Sequence, residues 1–508
     1  MRDDTIVGRP MPGPGPRGGP ALPIGAWLPR WRGLLPPTLV DRSPGRLLAW
    51  VGVGAVAFDV GIRGGPANLV VAAAVALVVA GLATDGRLAR REARVLALAA
   101  LLPGLGLAVR VSPWVTATNL AAIAILLGLA IVLSRSGLVL DTTPTRLVRR
   151  AWSTAWGMLA APTVLVPLAR RLEGPTVGKV GRVVVAVAVA FPVLLLVTLL
   201  LAAADPVFAG LVTPDVDVEP LVGHLVLTGF FAVAVLLVLA AALVDGDEGR
   251  PRGTFGLVEV VTMLGLAAAV LGLFVVSQLL ALTDAGDRLV EAAGLTPAEY
   301  ARSGFFQLCW ATALILGFLG VVGFLARPGV MAHPTVRALA AAVPLLALGL
   351  VVVSLRRMAL YDEVFGLTML RLWVVGAALW MGSVLVMVAV RNAGAGAGRH
   401  WVLGGATGAA LLLVVLVNVA NSEAFVVHHN VARADDGARL DQEYLGTLSD
   451  DALPALVDEL GATAFTIVDE YGYRATAPRC TDETTGVAAL NLAAAQAADA
   501  RAGACAEG

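Results

Sequence analysis

The sequence predicts an all-α polytopic membrane protein of about eleven transmembrane helices with a small soluble C-terminal domain. Three observations predict it. About eleven apolar runs of roughly 17–25 residues are each long enough to cross a bilayer as a helix. Hydrophobic residues make up 58% of the 508 and charged residues 15%, at a mean hydropathy of +0.82. From Ser422 onward the chain turns polar. Only a membrane is a solvent for so much uninterrupted apolar helix.

The first element is the arm over residues 1–45, rich in Gly, Pro and Arg. It has no continuous apolar core, so it does not read as a cleaved signal peptide and is predicted to be a disordered cytoplasmic arm. The bundle follows over 46–421, with spans near 47–63, 67–84, 95–110, 115–134, 183–203, 222–244, 258–282, 304–326, 335–355, 367–390 and 402–421. Small residues recur within the spans, as at Gly52 and Gly54 and at Gly404, Gly405 and Gly408, and residues of this kind let helices approach closely. Net charge is zero and Lys179 is the only Lys, so no global field draws the chain to nucleic acid. Locally the cations are uneven. With the N-terminus inside, residues 1–46 hold seven Arg, the 85–94 loop four, and the 135–182 segment eight basic residues, whereas 205–221 holds none. That asymmetry places the N-terminus in the cytoplasm and, with an odd number of spans, the tail outside. Residues 151–169 are apolar but lie between Arg149–Arg150 and Arg170–Arg171, with Trp152 and Trp156 at one end. Basic pairs on both sides predict a helix over 149–171 lying in the cytoplasmic interface; were it to span, the tail would turn inward.

The tail, 422–508, is predicted to be a small extracytoplasmic α-rich domain. Ser449 with Asp450 and Asp451 reads as a helix N-cap and first turn, and Leu453, Leu456 and Leu460 mark one apolar face. Residues 463–468 fit either a short strand or a further helix, and 486–501 fit an Ala-rich helix. About 85 residues make a thin core, so the tail is expected to lean on the bundle. Cys480 and Cys505 would close a disulfide in an oxidising space, while Cys309 lies in an apolar run.

No catalytic constellation emerges. The five His are His224, His333, His400, His428 and His429, and none has HExxH-like spacing. Adjacent His428 and His429 point apart, so no metal and no other cofactor is predicted. Asp59 is expected to be a buried, hydrogen-bonded residue of the bundle. Asp59 and Asp362–Glu363 are also the acids that a membrane glycosyltransferase-like enzyme would need. Pro192, Pro344, Glu259 and Gln278 are the features a transporter of a small or lipid-like solute would use.

Four stretches carry a resemblance. They are Ala204-Asp205-Pro206-Val207-Phe208; Glu299-Tyr300-Ala301-Arg302-Ser303-Gly304-Phe305-Phe306; Arg357-Met358-Ala359-Leu360-Tyr361 with Phe365-Gly366-Leu367-Thr368 and Arg371-Leu372; and Asn430-Val431-Ala432-Arg433 with Leu440-Asp441, Tyr444-Leu445 and Leu448-Ser449-Asp450-Asp451-Ala452. Over roughly 180–460 the chain resembles a bacterial multi-pass membrane family called domain of unknown function 4173, related to the 4153 group. The resemblance implies an architecture and no reaction. The predicted topology sets all four stretches at the external surface, as a polar layer of Asp205, Tyr300, Arg302, Arg356, Arg357, Tyr361, Asp362, Glu363, Arg371, Asn430, Arg433, Asp441 and Tyr444. Charges near hydrocarbon are expected to pair or to face a wet cavity. The layer therefore either docks the tail or binds an anionic group, with Arg302, Arg357 and Arg371 as the cations and Asp205 and Asp441 as their counter-charges. The expected partners are the bilayer and a protein in the same membrane, in a scaffold or sensor of the cell envelope.

Overall fold

The computed structural model describes residues 43–65, 67–84, 86–134, 144–158, 219–243, 255–280, 305–394, 401–471 and 490–507. Among these, the regular structure is helical, apart from one isolated bridge between Phe255 and Ala326. Among the described residues, seven helices are long and apolar enough to cross a bilayer, and Leu69–Ala83, Leu227–Ala241 and Gln307–Gly323 are shorter apolar helices. The predicted span near 183–203 lies outside the described residues.

The first half of the bundle comprises α1 (Pro44–Arg63), α2 (Leu69–Ala83), α3 (Arg91–Ala99), α4 (Leu101–Val109), α5 (Pro113–Val132) and α7 (Glu219–Ala241). Helices α3 and α4 form one apolar rod, interrupted at Ala100, because Pro103 has no N–H to bond back into the preceding turn. One core joins this half, with Leu47, Val75, Leu82, Leu107, Leu126 and Leu239 among its buried residues. Phe58 on α1 stacks on Phe231 of α7 with ring centroids 5.0 Å apart. Between α5 and α7 lies α6 (Pro144–Met158), which packs on both. It covers the start of the predicted interfacial helix: Arg150 is buried and Trp152 is 74% exposed. Residues 159–171 of that prediction lie outside the described residues.

The second half comprises α8 (Leu257–Leu280), α9 (Phe305–Leu325), α10 (Pro334–Phe365) and α11 (Met369–Ala393), around a core that includes Leu264, Val322, Val343, Leu350 and Leu385. Helix α10 has 32 residues, roughly 48 Å against a hydrocarbon layer of about 30 Å. Its last turns, carrying Arg356, Arg357, Tyr361, Asp362 and Glu363, are the polar end of a helix longer than that layer.

Helix α12 (Val402–Val419) joins the halves, packing on α11 and also on α4 and α5. Trp380 of α11 donates to the Ala406 carbonyl at 2.9 Å. Near its end, Asn418 exchanges two hydrogen bonds with Asn119 of α5, at 2.8 and 2.9 Å. Gly106 of α4 is what admits this pair, since a Cβ there would sit 2.6 Å from Asn119 Nδ2. Two amides satisfying each other are the low-cost way to keep polar side chains in an apolar bundle.

The tail follows as α13 (Ser422–Asp435), α14 (Gln442–Gly446), α15 (Leu453–Leu460), α16 (Thr463–Tyr471) and α17 (Leu492–Glu507). Residues 463–468 are thus helical. A small core of Val427, Leu445, Leu456, Ala464 and Ile467 holds α13 to α16 together. A second cluster, Leu367, Met369 and Val426, fuses the tail to the α10–α11 turn, so the tail does lean on the bundle.

Candidate functional site

The turns α1–α2, α4–α5 and α10–α11 and the end of α12 all lie at the end of the bundle that the tail covers. Their polar groups meet the tail in two junctions.

The first is built on the α4–α5 turn. Asn421 takes φ 47° at the start of α13, a conformation Asn tolerates, caps Ala424 N–H, and donates to the Asp451 carbonyl at 2.8 Å. This sharp entry aims Glu423 down into the bundle. The Glu423 carboxylate, 2% exposed, accepts from the Ser112 hydroxyl at 2.5 Å and from the Ser449 N–H and hydroxyl at 2.8 and 2.7 Å. Asp451, also 2% exposed, accepts from Val111 N–H and Ser112 N–H at 3.0 and 2.6 Å through Oδ2. Arg110 lies 3.7 Å from Asp451 Oδ1 and is held by the Asn418 carbonyl at 2.8 Å and the Val419 carbonyl at 3.2 Å. Burial, with the charge of Glu423 adding to it, pushes Asp451 up to about 6, against the pull of the Ser112 and Val111 N–H groups and Arg110. Alongside, Arg501 of α17 pairs with Asp450 at 2.6 Å. Asn491 donates to the Leu107 carbonyl at 3.0 Å and lies within reach of the Ala67 and Arg110 carbonyls.

The second junction is built on the α10–α11 turn. Gly366 sits at φ 76°, and a Cβ there would come within 2.7 Å of Arg433 Nη1. Asn430 of α13 reads the turn as a strand would, accepting from Leu367 N–H at 2.9 Å and donating to the Leu367 carbonyl at 2.8 Å. Arg433 donates to the Glu363 carbonyl at 2.7 Å. The Tyr444 hydroxyl accepts from Met369 N–H at 2.6 Å, and burial pushes this phenol up to about 12. Arg371 donates to the Phe365 and Gly366 carbonyls and lies over the Tyr361 ring, 4.4 Å from its centroid. Asp441 caps α14 through Tyr444 N–H at 3.0 Å. His429 faces Asp362 at 2.8 Å, while its neighbour His428 faces Glu459 of α15 at 2.6 Å, so the two imidazoles diverge.

Of the predicted layer, Tyr361, Asp362, Glu363, Arg371, Asn430, Arg433, Asp441 and Tyr444 are brought together here, with Arg357 one to two turns back on α10. Asp205, Tyr300, Arg302 and Cys480 lie outside the described residues, and the Cys505 side chain does so too. The bonding differs from the expected pairing. Arg371 and Arg433 bond to the carbonyls that end α10, which no further helical turn satisfies, and Asp441 is spent on a helix cap. Likewise Asp450 and Asp451 do not form a first turn. Helix α15 starts at Leu453, and both carboxylates turn away into buried contacts. Asp59 is 3% exposed, bonded to Arg63 at 3.2 Å and to His224 at 2.5 Å, as a buried polar residue of the bundle should be.

The family model described as domain of unknown function 4153 matches residues 97–459, well over half of the chain. The chain belongs to that family. The matched region runs from the end of α3 through α15 and so contains both junctions, while Asp59, Asn491 and Arg501 lie beyond it. It reaches into the N-terminal third, upstream of the residues whose motifs carry the resemblance. Comparison with curated proteins and with solved structures finds no match.

Proposed function

We propose that this family member is a scaffold or sensor of the bacterial cell envelope, in which the tail is a clasp joining two helical halves at the extracytoplasmic surface. One observation carries the reading. A single small domain bonds to the α4–α5 turn of one half through Glu423 and Asp451, and to the α10–α11 turn of the other through Asn430 and Tyr444. The fuller architecture belongs to the same proposal: about eleven spans, N-terminus inside, tail outside, and kinship with the 4173 group. The polar layer then serves docking. Arg371 and Arg433 hold carbonyls, and Arg371 also lies over an aromatic ring, as expected of a seam sealed between two bodies. The enzyme alternative loses an acid, because both oxygens of Asp59 are engaged by Arg63 and His224. The transporter alternative finds the Asn119–Asn418 pair closed on itself.

The test is thiol labelling in intact cells, with Cys309 replaced by Ala. An impermeant maleimide is applied before and after an impermeant reductant. Labelling of Cys480 and Cys505 that appears on reduction supports an external, disulfide-closed tail. Labelling only after permeabilisation puts the tail in the cytoplasm and overturns the envelope-facing reading.

A further inference from the structure

The first junction buries two carboxyl groups against one cation. Glu423 and Asp451 are each 2% exposed and share a single residue, Ser112, whose hydroxyl goes to Glu423 and whose N–H goes to Asp451. The cation, Arg110, stands 3.7 Å from Asp451 Oδ1 and is already engaged by two carbonyls. Three of the four carboxyl oxygens accept from N–H or O–H donors. The fourth, Asp451 Oδ1, is buried with no hydrogen-bond partner among the described residues. The other charged groups beside it, Asp450 and Arg501, pair with each other. A metal ion does not suit this shell, because the donors turn their hydrogens, not lone pairs, toward the carboxyl oxygens. A proton does. It removes one of two like charges held in a water-poor seam and makes the lone oxygen a neutral hydroxyl.

We propose that Asp451 is a proton site, its proton carried on Oδ1 in the field of the neighbouring Glu423, whose deprotonation loosens the tail from the α4–α5 turn while the α10–α11 junction holds. The inference rests on the clasp reading and supplies the signal that such a sensor would read. Docking takes up the proton, so the contact is firm in acid and weakens as pH rises through the value Asp451 has when docked.

Hydrogen exchange of the full-length protein in lipid nanodiscs tests it, at pH 5 and pH 8 with labelling times scaled for the intrinsic rate. Protection of peptides covering 107–113 and 447–453 is expected to fall by about tenfold or more at pH 8, since each unit of pKa displacement is a tenfold change in the equilibrium. Peptides covering 366–372 and 440–446 are expected to hold. Asp451→Asn should keep protection at both pH values. Infrared difference spectra of the wild type give a second measurement that requires no variant: a buried protonated carboxyl band present at pH 5 and lost at pH 8. Equal protection of both junctions at both pH values, or no such band, overturns the proton site and leaves the clasp standing. Junctions unprotected at every pH overturn the clasp and the proton site together.

Discussion

The two junctions hold the same tail to the same end of the bundle by opposite chemistry. Against the α4–α5 turn the tail presents carboxylates, buried and supplied with hydroxyl and N–H donors. Against the α10–α11 turn it presents an amide, a phenol and a guanidinium, which satisfy backbone groups left open where one helix stops and the next begins. Neutral amides keep their state at any pH, and a phenol pushed up to about 12 does so through the physiological range. A buried acid at about 6 does not. One side of the clasp is therefore a fixed hinge and the other a contact whose strength follows its protonation.

Removing Glu423 should break the contrast most severely. Glu423→Ala strands the buried Ser112 hydroxyl and the Ser449 N–H, and hydrogen bonds to a charged group contribute about 1.5–3 kcal/mol each, so a loss of about 3 kcal/mol is expected. Thermal unfolding of purified protein measures it. The same variant removes the like charge facing Asp451, so any remaining pH dependence should move to lower pH. Asp451→Asn comes next. The docked value of Asp451 lies above its ordinary one, so its contribution is complete in acid below about pH 4 and is lost as pH rises through about 6. The variant should be more stable than wild type at pH 8, by about 1–3 kcal/mol, with a smaller gain at pH 5 and none below about pH 4. Equal thermal shifts at both pH values would remove the titrating side of the comparison.

The apolar spans were legible because burial in lipid writes itself into every residue of a helix. The α10–α11 motifs were legible for a related reason: Gly366, Thr368 and Asn430 sit where backbone geometry demands them, and Thr368 caps α11 through Arg371 N–H as its position suggests. What they bond was not legible, since Arg371 and Arg433 look alike in sequence whether they meet a carboxylate or a carbonyl. The first junction was missed almost whole. Arg110 and Ser112 are ordinary loop residues until the chain returns more than 300 positions later with Glu423 and Asp451. Glu423 stands at the start of a polar stretch and reads as solvated. Only the turn at Asn421, with its positive φ, sends it inward. Two consecutive capping-type residues, Asn421-Ser422, followed by the acidic Glu423 directly after an apolar span, were the local hint.

The fixed junction should fail through its backbone. Gly366→Ala places a Cβ against Asn430 and Arg433 at a left-handed position, so about 2 kcal/mol should be lost at any pH. Tyr444→Phe leaves Met369 N–H without its acceptor and should lose about 1 kcal/mol, again without a pH profile. Urea or thermal titrations at pH 6 and pH 9 would check both. A pH-dependent loss in either variant would mean that the two junctions are coupled and not separate.

The smallest effect sharpens the comparison, because it concerns a His–carboxylate pair at the junction that is otherwise held through backbone groups. His429 and Asp362 face each other at 2.8 Å with side chains 32% and 22% exposed, so water screens much of their attraction. Their neighbours Arg433 and Glu363 meet through a backbone carbonyl, not charge to charge, and add little field. Asp362→Asn should therefore cost under about 1 kcal/mol. Hydrogen exchange of the 366–372 peptide in this variant reads that difference directly. A loss well above that would show that Asp362 supports the turn by hydrogen bonding, and would make the α10–α11 junction as dependent on a carboxylate as its counterpart.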